Sequence, residues 1–183
     1  YLNFTDHFQF MSKIIVLLFL FFIIKLDAQY SIKSTFQATL GLGVSNYGAP
    51  QFLALDYGLF RDISLGLEFN NRYSNETFLK YRILGAHFNA NYHLNHLLKI
   101  YDEHWDLYLG GHYNYWLVTE NVKKIEPDSA NMGFGGQIGM RYFFNRHFAV
   151  NTELTAGKVS ADHLLRNEST IVGSFKLGLT YKF

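Results

Sequence analysis

The sequence contains no cysteine and only two prolines, Pro50 and Pro127, among 183 residues. Without thiols there is no disulfide scaffold, no thiolate metal site, no cysteine nucleophile and no lipid-modified cysteine anchor. So little proline leaves long stretches of backbone free to enter hydrogen-bonded ladders, and both prolines are expected in loops. Charge is also sparse. Charged residues make up 17% of the chain, against about 25% in ordinary soluble proteins, which need that charge to keep their surface in water. The formal net charge of +1 provides neither a basic field for nucleic acid nor an acidic tail for a basic partner. The longest apolar run, residues 14–24, falls well short of the ~20 residues that a membrane-spanning helix requires.

What the chain does have is apolar and aromatic surface. Hydrophobic residues make up 49% and aromatics 18%, yet the mean hydropathy is only −0.03. That combination suits a chain that alternates apolar and polar residues. The first segment departs from it. Met11, Ser12 and Lys13 lead into the apolar run, and Ala28 stands before Gln29. A basic start, a short apolar core and a small residue at its end predict a cleavable signal peptide over 11–28. Residues 1–10 are expected to be an upstream extension that is not native. A buried helix of a soluble domain would find no helical partner downstream.

From Ser34 onward the period is 2, the signature of strands with one apolar face. Eight segments show it: 36–44, 53–59, 63–70, 84–93, 105–115, 134–142, 148–156 and 174–183. In the seventh, Phe148, Val150, Thr152, Leu154 and Ala156 oppose Ala149, Asn151, Glu153 and Thr155. One phase irregularity stands before the fourth, where Leu79, Tyr81 and Ile83 occupy odd positions while the later apolar set is even. Either a bulge near Ile83 and Leu84 or a strand leaving the membrane there would account for it. Connections at Arg61 and Asp62 and at 144–147 read as tight, and those at 45–51, 119–131 and 159–169 as longer and polar; the link at 95–104 is long for its side. Tight turns at one end and longer loops at the other predict, for residues 29–183, an all-β, eight-stranded, antiparallel, up-and-down transmembrane β-barrel.

A soluble barrel would alternate equally well, with its apolar face turned inward. Three features favour apolar-out. The apolar face of these segments carries no charge, which would cost about 2–4 kcal/mol for Arg or Lys at a bilayer midplane. The opposite face is rich in Gly, Ser, Asn and Gln, which suits a narrow lumen filled by side chains. Aromatics gather near strand ends as two interfacial girdles: Phe60, Trp105, Tyr142, Phe148, Tyr181 and Phe183 on the turn side, and Tyr113, Tyr115 and Trp116 toward the loops.

With the strands placed, residues 29–183 resemble the small OmpA/OmpX/OmpW-like outer-membrane β-barrel (porin-like) proteins of Gram-negative bacteria. The nearest local match is the last strand, Phe175, Leu177, Leu179, Tyr181 and Phe183, ending on an aromatic. The resemblance implies an integral outer-membrane protein, exported through its signal peptide and embedded in outer-membrane lipid and lipopolysaccharide. It further implies that Tyr181 and Phe183 belong to a signal read by the outer-membrane assembly machinery. It brings no catalytic motif and no cofactor, and a monomer is expected.

Glu68, Glu153, Lys176 and Arg141 are expected to face the lumen as an ion-paired plug. Glu153 and Lys176 lie on neighbouring strands, and Glu68, Glu153 and Lys176 sit at similar distances from the turn side. Such a network either gates a pore or simply fills the barrel, since buried charges must be paired to be tolerated. His87 and His112 are expected inward at similar depth on adjacent strands. Two histidines could sense pH or contribute to a metal site, but no further ligand is spaced to complete one. Eight-stranded outer-membrane barrels include lipid A palmitoyltransferases and deacylases. Asp128, Ser129 and His163 supply the residue types of the former, though in a different loop; the deacylase motif is absent. A structural or interaction barrel that displays surface loops, without enzymatic activity, is the expected role, with a small-solute pore or a lipid A-modifying enzyme as alternatives.

Overall fold

The computed structural model describes residues 32–76, 79–100, 102–119, 129–160 and 169–183. The leader predicted over 11–28 and residues 1–10 lie outside them, as do Pro127, Asp128 and His163.

Eight strands follow one another: β1 (Phe36–Ser45), β2 (Ala49–Gly58), β3 (Ile63–Glu76), β4 (Leu79–His93), β5 (Trp105–Thr119), β6 (Ser129–Phe143), β7 (Phe148–Ser160) and β8 (Ser169–Lys182). Each pairs antiparallel with its sequence neighbour, and β8 pairs with β1, which closes the barrel. In hydrocarbon no water can satisfy backbone N–H and C=O groups, so closure is what makes a spanning sheet possible.

The alternating pattern decides which side meets lipid. Leu40, Leu42, Phe88, Phe134, Ile138, Leu154 and Leu177 are exposed on the outer wall, while Thr39, Glu68, His87, Asn91, Asn151 and Lys176 are buried inside. The leucine-and-aromatic side therefore faces outward, as the pattern predicts. On β7 the outward residues are uncharged from Phe148 to Ala156, and Lys158 follows. At about 3.3 Å per residue and a tilt of about 40°, that run crosses about 20 Å of bilayer. Below it lies an aromatic belt: Phe36 and Phe183 have centroids 5.4 Å apart, Tyr181 and Phe183 4.7 Å, Phe148 and Tyr181 5.0 Å, and Trp105 and Tyr142 4.7 Å.

Several expectations need correction. The segment 45–51 is no long loop. β1 and β2 join through Asn46, Tyr47 and Gly48 alone, closed by Ser45 N donating to Gly48 O at 3.1 Å. Gly48, at φ 91°, takes the left-handed conformation that this tight turn demands. Pro50 is consequently the second residue of β2 rather than a loop residue, a position near a strand start where a missing N–H is tolerated. No bulge interrupts the fourth strand: β3 and β4 pair in unbroken register from Ile63 opposite Tyr92 to Glu76 opposite Leu79. The ladder runs on to Leu79, with Ile83 turned inward and 2% exposed. Trp116 is not in a girdle. It points into the barrel and is 4% exposed.

β3 to β8 contain 13–15 residues, and β1 and β2 only 10. Six strands thus overhang the β1–β2 hairpin on the loop side. Beyond the last β1–β8 pair, Ser45 opposite Ser174, the side chain of Asn46 continues the ladder. Its Nδ2 donates to Ile171 O at 2.9 Å, and its Oδ1 accepts from Gly173 N at 3.1 Å. A side-chain amide here substitutes for the next backbone pair and satisfies part of an otherwise open edge.

Candidate functional site

Among the described residues, buried side chains fill the lumen in three tiers. Nearest the turn side, Arg141 on β6 lies between Asp56 on β2 and Asp106 on β5: Nη2 is 2.6 Å from Asp56 and Nη1 is 3.5 Å from Asp106. Its guanidinium covers the Tyr108 ring at 4.7 Å. Arg141 therefore belongs to a cluster of its own, not to the Glu68–Lys176 network with which the sequence grouped it. Arg141 stands on β6 one pleat nearer the turn than Gly139, and Tyr108 fills the space beside Gly139. A Cβ at Gly139 would run into the Tyr108 ring.

The middle tier centres on Lys176 from β8. Its Nζ donates to both oxygens of Glu68 across the barrel, at 2.8 and 2.6 Å, and to Oε1 of Glu153 on the neighbouring strand at 3.1 Å. The Tyr108 hydroxyl lies 2.9 Å from the other Glu153 oxygen. Glu68, Glu153 and Lys176 thus share one level, and the closer partner of Lys176 is Glu68. Neighbouring-strand reasoning did not select that contact, because it runs across the lumen and sequence spacing carries no such information.

Above it sit the histidines. The His87 and His112 rings stack at 5.8 Å, with their planes 20° apart. Trp116 Nε1, which can only donate, bonds His87 Nε2 at 3.1 Å. That nitrogen is therefore an acceptor, the ring is neutral, and the Nδ1 proton faces Glu68 Oε1 at 3.5 Å. His112 Nδ1 lies 3.3 Å from Gln137 Oε1. Its Nε2 would be only 2.6 Å from a Cβ at Gly135, so the glycine makes room for the ring. Arg72 stacks on Trp116 at 4.7 Å and donates from Nε to Asn70 Oδ1 at 3.2 Å. Among the described residues no group of three or more His, Cys, Asp or Glu is arranged to hold a metal.

Charge is balanced inside. The buried ions among the described residues are four cations (Arg72, Arg141, Lys176 and Lys182) and four carboxylates (Asp56, Glu68, Asp106 and Glu153). Burying an uncompensated charge costs several kcal/mol, so equal numbers of each sign are what a dry lumen requires. The loop-side end is closed by an apolar cluster of Ile83, Trp116, Val118, Val159 and Val172, with Tyr47 packed against it. At the turn side Phe143 and Ala149 are fully packed, and Lys182 Nζ sits 5.0 Å over the Phe143 ring. Neither this apolar cap nor Phe52, whose ring lies 5.4 Å from Lys176 Nζ, is among the expected lumen residues. The inward phase of Ile83 was the one signal of the cap.

One constellation has the connectivity of a nucleophile relay. Ser64 Oγ is 3.0 Å from His93 Nε2, and His93 Nδ1 is 2.6 Å from Asp106 Oδ1. Ser64 is 2% exposed and His93 1%, however, and the second Asp106 oxygen faces Arg141. A substrate carbonyl has no approach to the hydroxyl, and the three residues act as a satisfied polar cluster.

Solved structures with this architecture include the N-terminal β-barrel domain of Pseudomonas aeruginosa OprF (13% identity, TM-score 0.56, 82% of this chain and 98% of that one). The outer membrane protein OprG from the same organism gives 12% identity and a TM-score of 0.57 over 86% of this chain and 99% of its own. Neisserial surface protein A gives 13% and 0.55, over 81% and 93%. At such identities the likeness is one of fold. No curated protein matches. The family model for an outer membrane protein beta-barrel domain matches residues 14–183; with the closed barrel, its apolar outer wall and its aromatic belt, the chain belongs to that family and is an integral β-barrel of the outer membrane.

Proposed function

We propose that this barrel is a closed membrane scaffold that holds its loop-side overhang at the cell surface, and that it neither conducts solutes nor catalyses a reaction. The observation that carries this is the filled lumen. Lys176 and Tyr108 are 1% and 0% exposed, the buried charges balance, and the apolar cap would oppose the entry of water and ions by dewetting. The overhang from β3 to β8 supplies the surface to be displayed. Closure of all eight strands leaves no unpaired edge within the bilayer, which supports a monomer. The outward aromatics Tyr181 and Phe183 support recognition of the last strand by the assembly machinery. The outer wall meets lipid and, in the outer leaflet, lipopolysaccharide.

Planar-bilayer recording of the purified protein tests the scaffold against the pore. The expected result is a silent membrane, and the silence should persist in Ile83→Gly with Val159→Gly, because the Lys176 and Arg141 tiers still fill the lumen beneath the cap. Steady ohmic steps from the wild-type protein would overturn the proposal.

A further inference from the structure

Three connections lie on the side where β1 begins and β8 ends, and each sets bulky apolar side chains close to a cation. Leu59 and Phe60 precede Arg61, Leu97 and Leu98 precede Lys99, and Phe144 stands two residues before Arg146. The side chains of Phe60, Leu97 and Leu98 are 63%, 63% and 53% exposed.

The middle connection, the long link between β4 and β5, is a built knob. Leu98 N donates to Leu94 O at 2.8 Å, forming one helical turn. Lys99 N donates to His96 O at 3.2 Å and Ile100 N to Asn95 O at 2.8 Å, the paired bonds that close a helix when the residue after it is left-handed. That residue is Lys99, at φ 55°, where glycine would be the unstrained choice. The Asn95 side chain fastens the turn to the barrel by donating to Trp105 O and accepting from Leu107 N at 2.9 Å. Two exposed leucines are thus carried on a turn that is fastened at the first residues of β5. Two nearby carboxylates face histidines: Asp102 accepts from the His104 backbone N–H and lies 2.7 Å from its ring, while Asp62 lies 3.9 Å from His96. The backbone bond, and then the ring, hold the Asp102 carboxyl below the usual carboxylate range.

We infer that the link at 94–100 is a lipid anchor. Leu97 and Leu98 enter the boundary between acyl chains and headgroups of the periplasmic leaflet, and Lys99 meets a phospholipid phosphate. Apolar side chains beside a cation are the pattern of interfacial anchoring. Arg61, after Leu59 and Phe60, repeats the pattern at the β2–β3 turn.

The absence of cysteine makes the test clean. Leu97→Cys carries a single nitroxide, and the protein is reconstituted in phosphatidylcholine–phosphatidylglycerol vesicles. Power-saturation EPR then compares collision with oxygen and with a water-soluble nickel chelate. Leu177→Cys supplies the hydrocarbon reference and Glu103→Cys the aqueous one, and far-UV circular dichroism confirms the strand content of each variant. The Leu97 label is expected to meet the nickel chelate several-fold less than the Glu103 label does. Lys99→Glu should move it toward water, and Lys99→Gly, which keeps the turn, should move it less. A Leu97 label as wet as the Glu103 reference would overturn the anchor and leave the leucines to a soluble partner. An unchanged depth in Lys99→Glu would overturn the phosphate contact.

Discussion

Replacing Lys176 with methionine separates a dry lumen from a wet one by magnitude alone. Methionine approximates the lysine stem and removes the ammonium that bonds Glu68 at 2.6 and 2.8 Å and Glu153 at 3.1 Å. The buried charges then change from four against four to an excess of one carboxylate. In a dry interior, removing one partner of a buried pair costs about 3–5 kcal/mol. In a water-filled channel the same groups would behave as surface ions worth about 0–1 kcal/mol, and salt would erase even that. The assay is denaturant unfolding in lipid bilayers followed by far-UV circular dichroism, at low and at high salt. The expected loss is about 3–5 kcal/mol and nearly insensitive to salt. Adding Glu68→Gln to Lys176→Met rebalances the lumen and should recover more than half of the loss, because a buried pair removed as a whole is often close to neutral. A single-variant cost below about 1 kcal/mol, or no recovery in the double variant, would refute the charge-balance reasoning.

Two further outcomes follow from the packing. Trp105→Phe leaves Trp116 as the one tryptophan, buried and bonded to His87 at 3.1 Å; its emission should resist both acrylamide and brominated lipids, whereas persistent bromolipid quenching would place it back on the outer wall. Gly139→Ala drives a Cβ into the Tyr108 ring and should cost about 1–3 kcal/mol in the same unfolding assay, while Gly136→Ala, facing outward with its nearest atom at 3.6 Å, should cost almost nothing.

The faces of the strands were legible in the sequence because a barrel sorts its residues by the same period that orders the backbone. Every segment named from alternation became a strand, and its apolar side faced out. The lumen contents were legible one strand at a time: Glu68, Glu153, Lys176, His87 and His112 all point inward. Partnerships were only half legible. Glu153 and Lys176 occupy adjacent strands and directly opposed positions in the ladder, so spacing alone brings them together. The Glu68–Lys176 contact and the separation of Arg141 into a cluster with Asp56 and Asp106 depend on reach across the lumen. Reach is fixed by barrel diameter and by side-chain length, and neither is written into a local pattern. The aromatics on the polar side, Phe52 and Trp116, were hidden for a different reason. Hydrophobicity assigned Trp116 to the lipid-facing girdle and left Phe52 unassigned, whereas position in the alternation places both in the lumen, and position prevailed.

The phase irregularity at Ile83 carries the most general lesson, because it marks where the strand leaves the bilayer. A face becomes apolar wherever the medium it touches is dry. Within the membrane the dry medium is outside, and leucines point outward while amides point in. Past the headgroups the outside is water, and the only dry region is the overhanging end of the barrel itself. On β4 and β7 the alternation continues there with its sign reversed: Arg82 and Lys158 turn outward, while Ile83 and Val159, with Val118 and Val172 of the neighbouring strands, turn inward; on β8 Ile171 still faces outward. A bulge would have shifted the register and kept the sign, yet the β3–β4 ladder is unbroken through this point. The residue that looked misplaced in a membrane strand is correctly placed for a water-facing one. The same reversal that marks the membrane boundary also builds the apolar cap, so the limit of the bilayer and the seal of the lumen are one feature of the sequence.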